Sequence, residues 1–127
     1  MEKANISEKL LRTVLPKWNI YGIVGLEGSN LIIDGSEIGT MAFSGQSSIN
    51  IHEVDFRCIE FAKSKGYIIE CYPHTTLSKG YIWCVSKFNY SIGFTEKDIE
   101  CSQDSTKPEA VFKATQWILD NIESEEK

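Results

Sequence analysis

The side chains best suited to chemistry in this chain are few: two histidines, two arginines and four cysteines among 127 residues. His52 and His74 could each act as an acid or base near neutral pH. Neither belongs to a local cluster with a carboxylate or a cysteine, and no spacing supports a metal site built from them. Ser44, Ser47 and Ser48 do not form a Gly-x-Ser-x-Gly elbow. The reading is therefore a non-enzyme, with no catalytic residue, no metal ligand and no cofactor. A small enzyme using His52 or His74 beside a carboxylate is the competing possibility.

Arg57 has two readings that the sequence leaves open. Glu53 lies four residues before it, so the two can pair on a helix surface. Its guanidinium fork could also hold a phosphate or carboxylate. Gly22-x-x-Gly25-x-x-Gly28 looks like a phosphate loop, but a dinucleotide fingerprint needs a helix to follow, and Leu31-Ile-Ile reads as a strand. Tight turns or close strand approach explain these glycines more simply. No Cys-x-x-Cys pair occurs. Cys58, Cys71 and Cys84 read as small core side chains, and Cys101, in a polar stretch, as more exposed. The aromatic inventory, including Trp18, Tyr21, Tyr72, Trp83, Phe88 and Tyr90, exceeds what a small core must use. An exposed aromatic face would suit a subunit interface or a platform for a planar ligand.

These groups need elements to position them. Ser7 can cap a short helix, Glu8 to Leu15, ended by Pro16. A glycine-rich meander follows, with strands around Trp18–Ile23, Leu31–Ile33 and Ile38–Phe43. Asp34-Gly35 reads as a hairpin turn, and Ser44–Ser48 as a polar connection. Asn50 with Glu53 fits a capping box for a helix from Ile51 to Lys65, closed at Gly66. The period then changes to two, giving strands at Tyr67–Tyr72, Tyr81–Ser86 and Tyr90–Phe94. Thr106-Lys-Pro-Glu109 opens a last helix with a buried stripe through Val111, Ala114, Thr115, Ile118 and Ile122. The expected fold is one α+β domain over 1–127 with frayed ends at 1–6 and 123–127. It holds an antiparallel sheet of about six strands covered by two main helices. Whether they cover one face, or both as an α/β/α sandwich, stays open.

Hydrophobic residues at 42% and charged residues at 24% are ordinary for a globular domain. The net charge of −5 and the lack of a basic run oppose a nucleic-acid partner. No apolar stretch is long enough to span a bilayer, and the N-terminus lacks an apolar signal core, so a soluble cytoplasmic protein is expected.

The stretch from Asn50 to Asn121 resembles the small phage α/β/α-sandwich domain family. The resemblance lies in the helix Ile51-His-Glu-Val-Asp-Phe-Arg-Cys-Ile-Glu-Phe-Ala-Lys-Ser-Lys-Gly-Tyr67, the aromatic hairpin through Tyr81-Ile-Trp83, and Ser105-Thr-Lys-Pro-Glu-Ala-Val-Phe-Lys-Ala114. It covers a little over half the chain. In size and organisation the chain is similar to a phage protein that defeats the Thoeris bacterial defence by sequestering a cyclic ADP-ribose-type signal. The resemblance thus implies a non-catalytic nucleotide sponge, a homo-oligomer, working in the host cytoplasm. No ligand residue carries over from the family. Such a ligand needs stacking surface and phosphate donors, and Trp83, Phe88, Tyr90 and Arg57 are of the right types, with Asn89 suited to a base edge. The alternative is a protein-interaction or inhibitor domain acting on a host protein.

Overall fold

The computed structural model describes residues 2–39, 45–73, 80–89, 93–104 and 106–125. Among these described residues, three helices and six strands follow in the order α1 (Glu8–Val14), β1 (Trp18–Glu27), β2 (Asn30–Glu37), β3 (Gln46–Asn50), α2 (Ile51–Ser64), β4 (Tyr67–Pro73), β5 (Tyr81–Asn89), β6 (Phe94–Asp104) and α3 (Lys107–Glu125). The α+β class is as expected. The strands, however, form two three-stranded antiparallel sheets, β1-β2-β3 and β4-β5-β6, rather than one sheet of six. The chain divides into two compact units, Met1–Arg57 and Cys58–Lys127, with the boundary inside α2.

In the first unit, Ser7 caps α1 by accepting a hydrogen bond from the Leu10 N–H at 3.1 Å. Leu10, Leu11 and Val14 are the buried stripe of this helix, which packs on β1. β1 and β2 meet at Glu27↔Asn30, so Gly28 and Ser29 make the hairpin turn. Gly28 takes the left-handed backbone (φ 63°) that such a turn favours. Asp34-Gly35 is therefore not a turn. Both residues lie inside β2, and Gly35 follows Leu31 and Ile33 along the buried face of the strand. The third strand is also displaced from its expected place. Ile38 and Gly39 form the turn after β2, residues 40–44 lie outside the described residues, and the strand is Gln46–Asn50. Polar side chains suit this edge strand, where Ile49 alone is buried, opposite Leu31.

The second unit is built on β4-β5-β6, with α3 lying across all three strands. Tyr67, Trp83 and Val85 point from the sheet into a cluster with Ala62 of α2 and Ala110, Ala114 and Ile118 of α3. Two alanines on α3 let it approach β5 closely. The hydroxyl of Thr115 is satisfied inside the core by donating to the Val111 carbonyl at 2.7 Å. The Tyr67 hydroxyl accepts from Asn121 Nδ2 at 2.9 Å, which anchors the far end of α3 to β4. β6 runs from Phe94 to Asp104, much longer than and displaced from the expected strand at 90–94. It is an edge, and exposed Glu96 and Lys97 discourage pairing with a further chain.

The caps lie as the sequence indicates. Asn50 Oδ1 accepts from the His52 N–H at 2.9 Å, and Thr106 Oγ1 from the Glu109 N–H at 3.3 Å. α2 ends at Ser64, and Gly66, just past that end, adopts φ 83°. Thr106→Ala is expected to lower the urea unfolding free energy by about 1 kcal/mol, through an orphaned N–H at the start of α3. A Thr106→Ser control should retain most of the stability.

Candidate functional site

The recess with the clearest chemistry lies wholly within the first unit. It has a volume of about 90 Å³ and is lined by Val14, Leu15, Pro16, Lys17, Trp18, Glu37 and Arg57. Its construction follows from the end of α1. The Leu15 N–H still donates to the Leu11 carbonyl at 3.0 Å, and the Trp18 N–H then donates to the Leu15 carbonyl at 3.1 Å. Pro16 stops the helix inside this tight reversal, which delivers Lys17 and Trp18 side by side. Trp18 opens β1 directly opposite Glu37 at the end of β2. The Ile38 N–H donates to the Lys17 carbonyl at 2.8 Å and fixes that end of the hairpin.

Arg57 reaches the recess from α2. Its Nε donates to Glu53 Oε1 at 2.9 Å, the helix-surface pair expected from their spacing. Both side chains are about half exposed, so the pair contributes little to stability. It orients the guanidinium, whose terminal N–H groups make no bond to a described residue. The two readings of Arg57 are thus compatible. A carboxylate holds one edge of the fork, and the other edge can meet an anion. Lys17 is exposed, Trp18 is half-buried, and Glu37 is exposed. The arrangement supplies two cations, an indole face and a carboxylate acceptor suited to a sugar hydroxyl.

The other candidate ligand residues lie in the second unit. Trp83 is 5% exposed and packed in the core cluster, so its ring presents no platform to solvent. Phe88 is half-buried on β5, and its backbone N–H donates to the Gly66 carbonyl at 2.9 Å. Asn89 ends β5; its side chain, and the whole of Tyr90, lie outside the described residues. His74 lies outside them as well, while His52 is exposed on α2. Cys58 and Cys84 are buried and Cys101 is exposed, as expected, whereas Cys71, expected in the core, is half-buried. Gly22 and Gly25 serve irregularities in β1 and Gly28 its turn, in line with the structural reading of the glycine motif.

Lys17 and Glu37 were not singled out from the sequence. The available clue was the run Pro16-Lys17-Trp18, where a helix stop sets a cation beside an indole. Among the described residues, no three His, Cys, Asp or Glu side chains converge as a metal site, and no helix is long and apolar enough to cross a membrane. Comparison with known proteins finds no family model, no curated protein and no solved structure that matches this chain.

Proposed function

We propose that the protein is a non-catalytic binder of a phosphate-bearing small molecule, held at the Lys17–Trp18–Arg57 recess. The observation that carries this reading is that two cations, Lys17 and Arg57, line one recess with the Trp18 indole, and that Glu53 holds the Arg57 Nε. Phosphate is the anion that a guanidinium fork and an ammonium both recognise. A base can stack on the Trp18 ring, and a ribose hydroxyl can donate a hydrogen bond to the Glu37 carboxylate. The phage-family resemblance makes a cyclic ADP-ribose-type immune signal the ligand of interest, sequestered in the host cytoplasm to counter bacterial defence. At about 90 Å³ the recess is well below the roughly 300 Å³ or more that encloses a drug-sized ligand. It therefore holds a phosphate group, and a whole nucleotide would need further surface, which a homo-oligomer could supply.

The test is calorimetric titration with inorganic phosphate, ADP-ribose and cyclic ADP-ribose, read alongside tryptophan fluorescence. Binding of a phosphate-bearing probe should weaken about tenfold in Arg57→Gln and again in Lys17→Gln. The ligand should be recovered chemically unchanged after denaturation. Absence of binding by all three probes at millimolar concentration, or an unaltered affinity in Arg57→Gln, would remove the proposal. Release of a cleaved product would overturn its non-catalytic part.

A protein partner is the second reading, and β1 favours it. Tyr21 and Val24 have no register partner on β2, because each falls in a register shift of the ladder. They are 78% and 42% exposed. Bulges re-aim side chains, and here they turn two apolar groups outward on an edge strand.

A further inference from the structure

We propose that Cys84 and Cys101 form a dithiol site that closes to an intrachain disulfide on exposure to oxidised small thiols. The two residues are directly opposed across the β5–β6 ladder. Their sulfurs lie 2.6 Å apart, well inside a non-bonded sulfur contact. Opposed residues of an antiparallel pair have Cα atoms roughly 4.5–5.5 Å apart, within the range a disulfide spans. No backbone movement is needed to bring the thiols together.

The two sulfurs differ in access, and this sets the order of events. Cys101 is exposed on the edge strand, whereas Cys84 is 4% exposed on the central strand. The Cys101 thiolate attacks one sulfur of a low-molecular-weight disulfide such as glutathione disulfide. A mixed disulfide forms, and one glutathione leaves as thiolate and takes up a proton. The Cys84 thiolate then attacks the Cys101 sulfur and expels the second glutathione. Two protein thiols and one small disulfide become one protein disulfide and two small thiols. Two electrons pass to the glutathione pair.

The remaining cysteines are placed out of reach. Cys71 is opposed to Trp83, and strand alternation puts both on the sheet face opposite to that of Cys84 and Cys101. Cys58 is completely buried on α2. The site is thus selective for one pairing. Closure ties the polar edge strand β6 to the central strand β5.

Incubation of the intact chain with glutathione disulfide, followed by intact-mass and peptide mass spectrometry, tests the proposal. The wild-type chain should lose two of its four thiols, become about 2 Da lighter, and retain no glutathione. The peptide holding Cys84 should be joined to the one holding Cys101, and dithiothreitol should reverse the change. Cys84→Ala should stop at the mixed disulfide, one glutathione heavier at Cys101. Cys101→Ser should remain unreacted. A lasting glutathione adduct on the wild-type chain, a link through Cys71 or Cys58, or four thiols left intact would each overturn the inference.

Discussion

Replacing Gly35 with alanine is expected to destabilise the first unit by about 3 kcal/mol or more, enough to populate the unfolded chain. Gly35 has φ 144°, a backbone region closed to L side chains without strain. A Cβ placed there would collide with the carbonyl oxygen of Asn19 and press on Ile20 Cα at 3.1 Å. These are backbone atoms of β1, so no rotamer change can relieve the clash. The other side of Gly35 is equally committed. Its N–H donates to the Gly45 carbonyl at 2.8 Å, and its carbonyl accepts from Ser47 Oγ at 2.7 Å. The peptide cannot move away from β1 without breaking its bonds to the segment that forms β3. Gly28 is the control. It also has a positive φ, but a Cβ there meets nothing within 4 Å, so Gly28→Ala should cost only about 1 kcal/mol. Urea melts of both variants measure the difference. Equal losses would show that backbone conformation alone, and not the approach of β1, makes glycine necessary at 35.

Gly35 also shows where local reading of the sequence stops. Asp-Gly between apolar runs is a strong hairpin cue, and here the cue and the structure use the same glycine for different reasons. A turn needs glycine for its dihedrals; this strand needs it because β1 passes too close for a side chain. Only the second reason depends on a partner distant in sequence. The helices were legible because their determinants are local: Ser7, Asn50 and Thr106 each accept from an N–H two or three residues on. The edge strands β3 and β6 were not. Gln46–Asn50 and Thr95–Asp104 carry little apolar alternation, because an edge strand keeps polar groups where a central strand would bury them. The division into two sheets was hidden for a related reason. Six strands of ordinary length carry no mark of which edges remain unpaired.

The recess was half legible. The Glu53–Arg57 spacing identified a paired arginine, and that arginine lines the recess with Lys17 and Trp18. Which aromatic ring stands beside that arginine is a question of tertiary placement. Alternation on β5 groups Trp83 with Tyr81 and Val85, but it does not say whether that face meets solvent or a helix. The alanines on α3 decide the matter by letting the helix lie close over it.

That decision yields the second large effect. Trp83→Ala should cost about 3–5 kcal/mol, because it removes an indole from a cluster with Tyr67, Val85, Ala114 and Ile118. Trp83→Phe should cost far less, about 1 kcal/mol. The smaller ring leaves a void, but it also removes an Nε1–H that is buried without an acceptor among the described residues. Leaving such a donor unsatisfied costs about 1–3 kcal/mol, which offsets much of the lost packing. The same pair of variants separates a core residue from a ligand platform. A platform residue would lose ligand on truncation while the melting midpoint stayed put. A core residue shows the reverse: Trp83→Phe should bind a phosphate probe as the wild type does, and Trp83→Ala should fail first in urea. Binding lost in Trp83→Phe at wild-type stability would place the ligand against β5 and move the functional surface to the second unit.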